Sequence, residues 1–287
     1  MLRGPGWYYF AVPDLAALAE YSLSLPGSAG LELSVWTLVL LALAGLTAGF
    51  VDAVVGGGGL IQLPTLLLVP GISPVQALAT NKLGSIMGTS TSSLTYYRRI
   101  QPDLRTAAPM GLVALVAAIG GAALASFLPA SALKPIIIAA LVLVAVYVLV
   151  KPKVGATTEL RWSGNRHYGT AMVLGAVIGL YDGLVGPGTG SFLVIALVSV
   201  LGYAFLPASA LAKIVNFATN LGALVVFVPH GAVLWGIGLV LGLANIAGAY
   251  LGARTAVARG SRFVRAAFVV VVSVLIVRLV WDVLHGG

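Results

Sequence analysis

The sequence predicts an all-α protein that crosses a membrane many times. It is arranged as two inverted repeats of about five segments, full helices plus one short half-helix each, with helix breaks at the membrane centre. Three observations predict this. Of 287 residues 60% are hydrophobic and 8% charged, with 36 glycines and a mean hydropathy of +1.06. A glycine-rich motif with an aspartate occurs twice, and the basic residues gather in alternate loops.

The apolar segments run over 34–55, 60–70, 74–97, 106–127, 132–150, 168–185, 191–203, 206–228, 231–253 and 263–284. Most approach or exceed the roughly 20 residues that span a bilayer as helix. Backbone polar groups in lipid must be satisfied within the segment, so these runs are helices. The segments 60–70 and 191–203 are too short to cross at a rise of about 1.5 Å per residue and follow glycine-rich breaks, which marks them as half-helices. The N-terminal region 1–33 carries Pro13, Asp14 and Glu20, which interrupt any signal-peptide core. Its Trp7, Tyr8, Tyr9 and Phe10 predict an interfacial segment, with a short surface helix.

At an offset of 130, Gly45, Gly49, Asp52, Val55, Gly56, Gly58 and Leu63 fall on Gly175, Gly179, Asp182, Val185, Gly186, Gly188 and Leu193. One inserted residue later, Ala77, Ala79 and Lys82 fall on Ala208, Ala210 and Lys213. Asp and Lys are rare here, so their coincidence carries the repeat. The domains are therefore 1–33, an extracytoplasmic interfacial segment; 34–150, membrane repeat 1; 151–167, a cytoplasmic linker; and 168–287, membrane repeat 2.

Arg98, Arg99 and Arg105, then Lys151, Lys153, Arg161 and Arg166, then Arg254, Arg259, Arg262 and Arg265 make up eleven of the sixteen basic residues. They sit in three loops that the positive-inside rule makes cytoplasmic. The loops at 128–133 and 229–231 read as outside. Loops 98–105 and 229–231 are equivalent in the repeat yet opposite in side, so the halves are inverted and both termini lie outside. A parallel duplication of four spans per half is the alternative if the short segments are re-entrant. The net charge of +8 is spread over short loops and signals topology, with no nucleic acid as partner.

Inverted repeats with interrupted helices are a transporter signature, with the substrate held near the midplane. Glycine allows close backbone approach, and a half-helix start offers N–H groups with partial positive charge. The N–H groups of 58–61 and 188–191 are thus candidates to hold an anion, with Gly58, Gly59, Gly188, Thr189, Gly190 and Ser191 as the residues; tight helix packing is the plainer reading of such glycines. Lys82, Ser85 and Thr89, and likewise Lys213, Asn216 and Asn220, form one polar stripe each at i, i+3 and i+7. A central Lys costs about 2.5–3.5 kcal/mol facing lipid, so the stripes face an internal cavity and are candidates to bind substrate. Asp52 and Asp182 are candidate coupling residues that carry protons. With both charged, the two Asp and two Lys sum to zero; with both protonated, two positive charges face the substrate. The structural alternative is an Asp–Lys pair within each repeat, Asp52 balancing Lys82.

Gly238 and Gly242, then Gly248 and Gly252, form GxxxG spacings for packing, with Asn245 between them as interhelical glue. His167 falls in a cytoplasmic loop and His230 and His285 near the outer face, too scattered for a metal. With no cysteine, thiolate metal sites, disulfides and cysteine nucleophiles are excluded. No Walker motif is present, so ATP hydrolysis by this chain is not expected. No cofactor is implied, and the chain is read as no enzyme.

The motifs "DAVVGGGGLIQLP" and "YDGLVGPGTGSF", followed by "ATNKLGS" and "ALAKIVNFATN", resemble the TauE/SafE family of sulfite and organosulfonate exporters, the second motif being most like its YfcA-type branch. The resemblance covers the chain from about residue 34. It implies that residues 56–59 and 186–190 with Lys82 and Lys213 belong to the functional core. It also implies export of sulfite, sulfoacetate and related sulfur anions. One departure is that Pro187 and Thr189 stand where the first motif has Gly57 and Gly59, so the half-sites are unequal. The expectation is a secondary transporter in the inner membrane. It exports small sulfur-containing anions (sulfite, thiosulfate or an organosulfonate), coupled to protons, by alternating access. The alternatives are an anion channel or, from a different class, a structural or enzymatic membrane subunit. Its partners are the small anionic substrate and the lipid bilayer; the oligomeric state is left open, a homodimer being one arrangement.

Overall fold

The computed structural model describes residues 22–129, 131–132 and 157–284, the stretch 271–284 by its helical backbone. The expected segment 132–150 beyond its first residue, the cluster Trp7 to Phe10, Lys151, Lys153 and His285 lie outside the described residues.

Local signals set the element ends. A short antiparallel hairpin, β1 (Ser22–Ser24) and β2 (Glu32–Ser34), precedes the first helix, at the end of the region read from sequence as an interfacial segment with a short surface helix. Ser34 then accepts the Thr37 N–H and starts α1 (Val35–Val55), which stops at Gly56 with φ 84°, the left-handed backbone that suits glycine. The half-helix α2 (Gly59–Leu67) follows at once. Ser73 and Gln76 form a reciprocal capping box with Pro74 at the first position of α3 (Pro74–Ile100). Asp103 caps α4 (Leu104–Phe127) by accepting from the N–H groups of Arg105 and Thr106. The second set comprises α5 (Gly164–Leu184), α6 (Thr189–Ala196) continuing as a π-turn over Leu197–Leu201, α7 (Phe205–Phe227) and α8 (Trp235–Leu284). The two last expected segments are joined in α8, which breaks its helical geometry at Gly260. Among the described residues, four helices are long and apolar enough to cross a membrane: α1, α4, α7 and the Trp235–Val270 part of α8.

The packing is exchanged between the sets. α4 lies mainly against α5 and α7 of the second set, and α8 mainly against α1 and α3 of the first; α3 and α7 pack on each other. Small residues make these contacts close. A Cβ on Gly179 would strike the Ala114 backbone, one on Gly183 the Ala118 carbonyl, and one on Gly248 the Leu46 carbonyl. Gly238 and Gly242 admit Leu83 and Met87 of α3, so the expected glycine spacings do serve packing.

The ends of the helices meet in a definite order. The start of α8 joins the hairpin, with the Trp235 N–H donating to the Gly27 carbonyl, and the Leu234 N–H donates to Thr80 near the start of α3. At the other end, Tyr203 just before α7 donates to Asp103 just after α3. So α3 ends where α7 begins. Two apolar cores lie along α3 and α7, one around Leu78 and Phe227, the other around Tyr96 and Phe205. Lys82 and Asn216 fall between them along the helices.

His167 corrects its sequence reading. It lies in the first turns of α5, is buried, and its Nε2 stands 3.0 Å from Thr106 Oγ1 and 3.2 Å from Tyr203 Oη. Both hydroxyls have Asp103 Oδ2 as acceptor, at 2.7 and 2.8 Å, so carboxylate, hydroxyls and imidazole form one cluster. The pattern of side chains alone does not reveal this four-residue cluster, because its members are up to 100 residues apart in sequence.

Candidate functional site

The two breaks meet inside the molecule, and the exposed backbone there is satisfied residue by residue. The last carbonyls of α1 lack helical partners. Tyr96 donates to the Ala53 carbonyl at 2.7 Å, Ser209 to Val54 at 3.3 Å and Ser191 Oγ to Val55 at 2.9 Å, while the Ser191 N–H donates to Gly56 at 3.0 Å. At the second break Tyr181 donates to the Pro187 carbonyl at 2.6 Å and Thr189 Oγ1 to Gly186 at 2.8 Å. Within a bilayer such non-helical backbone is tolerated only when buried in protein or beside a cavity.

The charged residues pair across the two sets. Lys82 Nζ lies 2.7 Å from Asp182 Oδ1, and Lys213 Nζ lies 2.8 Å from Asp52 Oδ2. This overturns the expectation that Asp52 balances Lys82 within one repeat. The reason is geometric: each Lys lies on the third helix of one set, and the α3–α7 contact brings it to the break of the other. The side chains of Lys82, Asp182 and Lys213 are 2%, 2% and 0% exposed, that of Asp52 14%. Asp52 Oδ1 also accepts the Gly58 N–H at 3.4 Å. Asp182 Oδ1 also accepts from Thr189 at 2.6 Å, whereas its Oδ2 is buried without a hydrogen-bond partner among the described residues.

A small cavity lies between the breaks, about 10 Å³ of room, enough for roughly one water. From the first set it is lined by Asp52, Gly56, Gly59, Asn81, Lys82 and Ser85. From the second it is lined by Asp182, Gly186, Gly188, Thr189, Gly190, Asn216 and Asn220. The other sequence candidates lie just behind. Lys213 is sealed against Asp52. Thr89 donates to the carbonyls of Ser85 and Ile86, as a helical threonine commonly does. Gly58 and Ser191 give their N–H groups to Asp52 Oδ1 and the Gly56 carbonyl.

The half-helix N–H groups are partly spent. Leu60 donates to Gly57, Ile61 to Gly58 and Thr189 to Gly186. The remaining members of the two expected cradles, Gly59, Gly188 and Gly190, all line the cavity. Asn81 escaped the sequence reading because it stands one residue before the Lys82 stripe, and its counterpart is Ala212. Behind Ser85 lies a buried amide pair: Asn245 donates to Gln62 Oε1 at 3.3 Å, and Ser85 donates to the same oxygen at 3.4 Å. Asn245 thus ties α8 to α2, as glue. No group of three or more His, Cys, Asp or Glu able to hold a metal occurs among the described residues.

At the membrane end where α3 stops, the Asp103 cluster ties the two sets together. Burial raises the Asp103 carboxyl, but hydrogen bonds from Thr106, Tyr203 and the N–H groups of Thr106 and Arg105 outweigh it and hold the group below the usual carboxylate value. Burial first, then its bond to Asp103, raises the Tyr203 phenol.

No solved structure matches the chain. Residues 41–279 match the family model described as sulfite exporter TauE/SafE, a stretch that includes both breaks and both stripes. The chain is 39% identical over 254 residues to the "Probable membrane transporter protein ORF9" of Sinorhizobium sp, covering 88% of this chain and 96% of the relative. It is 34% identical over 251 residues to the "Probable membrane transporter protein YfcA" of Escherichia coli strain K12, covering 87% and 91%. Paired charges buried where two broken helices meet, apolar spans around them, and relatives named as membrane transporters along nearly their whole length agree on one assignment: this multi-pass membrane protein belongs to the TauE/SafE family.

Proposed function

We propose that this chain is a secondary transporter that exports small sulfur-containing anions such as sulfite or an organosulfonate, coupled to protons, by alternating access around the cavity between the two breaks. The observation that carries it is the crossed pairing of Lys82 with Asp182 and Lys213 with Asp52. Each pair joins one helix set to the other, so an anion that takes the cavity-lining Lys82 from its aspartate loosens the joint between the sets. Protonation of the aspartate supplies the driving force, because a neutral carboxyl holds an ammonium far less than a carboxylate does. Asp182 Oδ2, with no hydrogen-bond partner among the described residues, is the open oxygen for that proton, and protonation there weakens the hold of Oδ1 on Lys82. Ser85, Asn81, Asn216, Asn220 and Thr189 supply neutral polar groups suited to an oxyanion with several oxygens.

The reading includes an inverted repeat in the inner membrane with both termini outside. Its support is that α3 ends beside the start of α7, and that the arginines at 98–105 and 161–166, with those flanking the Gly260 break of α8 at 254–265, gather around that same end. Titration of purified protein with sulfite, thiosulfate, sulfate, sulfoacetate and chloride at two pH values tests the substrate class. A sulfur anion is expected to bind, and more tightly at the lower pH. Binding of chloride or a cation with no response to any sulfur anion overturns it.

A further inference from the structure

The two breaks descend from one motif, yet their surroundings differ. At the first, every one of the last four carbonyls of the turn, from Ala53 to Gly56, has a donor from elsewhere in the fold. The Gly56 backbone packs against Gly190 so closely that a Cβ on Gly190 would lie 2.5 Å from Gly56 Cα. Asp52 has both oxygens bonded, one by Lys213 and one by the Gly58 N–H. This is a filled joint.

At the second break the equivalent glycine, Gly186, has φ 89°, and the Lys82 ammonium occupies the space beside it, 2.8 Å from where a Cβ would stand. At Gly56 the atoms nearest the same position are the Gly190 and Ser191 backbone instead. Lys82 lines the cavity, whereas Lys213 is sealed behind Asp52. Asp182 lines the cavity too, and its Oδ2 is buried with no partner among the described residues. Asn81, next to Lys82, lines it with no polar counterpart in the second set, where Ala212 stands.

Resting on the anion-transport reading above, we infer that the duplicated device has become one-sided. A single anion binds per chain on Lys82, with Asn81 and the second break, while the Lys213–Asp52 pair is a brace that holds the first break in shape. The cavity as it stands takes about one water, so the anion enters as Lys82 swings from Asp182 and the second break yields.

Equilibrium titration of the purified full chain in detergent with sulfite tests this, with monodisperse elution as the check on folding. The wild-type chain is expected to bind one sulfite. Lys82→Gln, and the charge-neutral pair Lys82→Gln/Asp182→Asn that leaves no lone buried charge, are expected to weaken binding about 100-fold; Asn81→Ala is expected to weaken it about 10-fold, in line with charged and neutral hydrogen bonds. The charge-neutral pair Asp52→Asn/Lys213→Gln is expected to weaken it by less than about 10-fold with the stoichiometry still one. Two sulfites per wild-type chain, or equal losses from the two double variants, overturn the one-sided site while leaving anion transport standing. Absence of binding by any sulfur anion to the wild-type chain overturns both.

Discussion

Lys82 and Lys213 are each carried on a helix face that lipid would reject, and each is stabilised by a carboxylate supplied from the other helix set. Removing one member of such a buried pair leaves the other uncompensated, a loss of about 3–5 kcal/mol. Lys82→Gln is therefore expected to lower the melting temperature in detergent sharply. A second change, Asp182→Asn, should restore most of the loss, and Asp52→Asn should not. Rescue by Asp52→Asn in its place would mean that the pairs do not cross. Asp103 makes a prediction of another kind. Its carboxyl is held below the ordinary value of 3.8, so the stabilisation it provides is complete at neutral pH and is lost as pH falls through the folded-state value. Asp103→Asn is expected to melt at a lower temperature than wild type at pH 7, by the equivalent of about 1 kcal/mol, because an amide nitrogen in place of Oδ2 cannot accept the Thr106 and Tyr203 hydroxyls. Thermal melts repeated toward pH 3 should show the difference shrinking; a difference independent of pH contradicts the role given to the ionised group.

At the scale of elements, the breaks work because two stretches of bare backbone can touch. Gly190→Ala places a Cβ 2.5 Å from Gly56 Cα, backbone against backbone, which no side-chain rotation relieves. It is expected to abolish monodisperse protein. Gly169 in α5 is the control, since its Cβ position has no atom within 4 Å. Gly169→Ala is expected to be tolerated and to gain up to about 1 kcal/mol from helix propensity. Size-exclusion profiles after heating measure both, and a folded Gly190→Ala would show that the breaks need not meet. The same logic explains the length of the half-helices. α2 and α6 are nine and eight residues long, so their stability comes from packing and from the donors that satisfy the turns before them.

For the whole molecule, the exchange of packing partners has a mechanical consequence. Because α4 rests on α5 and α7, and α8 on α1 and α3, neither set forms a separate body. Motion is therefore between the α1, α3 and α8 group and the α4, α5 and α7 group, through the α3–α7 contact and the breaks. The Asp103, Thr106, His167 and Tyr203 cluster closes one end of that contact with hydrogen bonds between the sets. The topology is open to direct test because the chain has no cysteine. Arg99→Cys and His230→Cys are expected to react with a membrane-impermeant maleimide from opposite sides of the membrane. Labelling from one side alone would replace the inverted repeat with a parallel one.

The sequence by itself determined that this is a helical membrane protein, where its helices lie, and which rare charges interrupt them. Hydropathy, glycine runs and caps act over a few residues, so they are legible along the chain. The boundaries of α1 at Gly56 and of α3 at its Ser73–Gln76 box follow from such local chemistry. The duplicated Asp and Lys were equally legible, as rare residues at one offset. Which Asp meets which Lys was not, because a salt bridge depends on the third dimension, and tertiary structure alone chose Asp182 for Lys82 across the interface. The hairpin before α1, the burial of His167 and the entry of Asn81 into the cavity were decided in the same way. A sequence pattern records which face a residue takes on its own helix. What that face meets is fixed only when helices distant in the chain pack together.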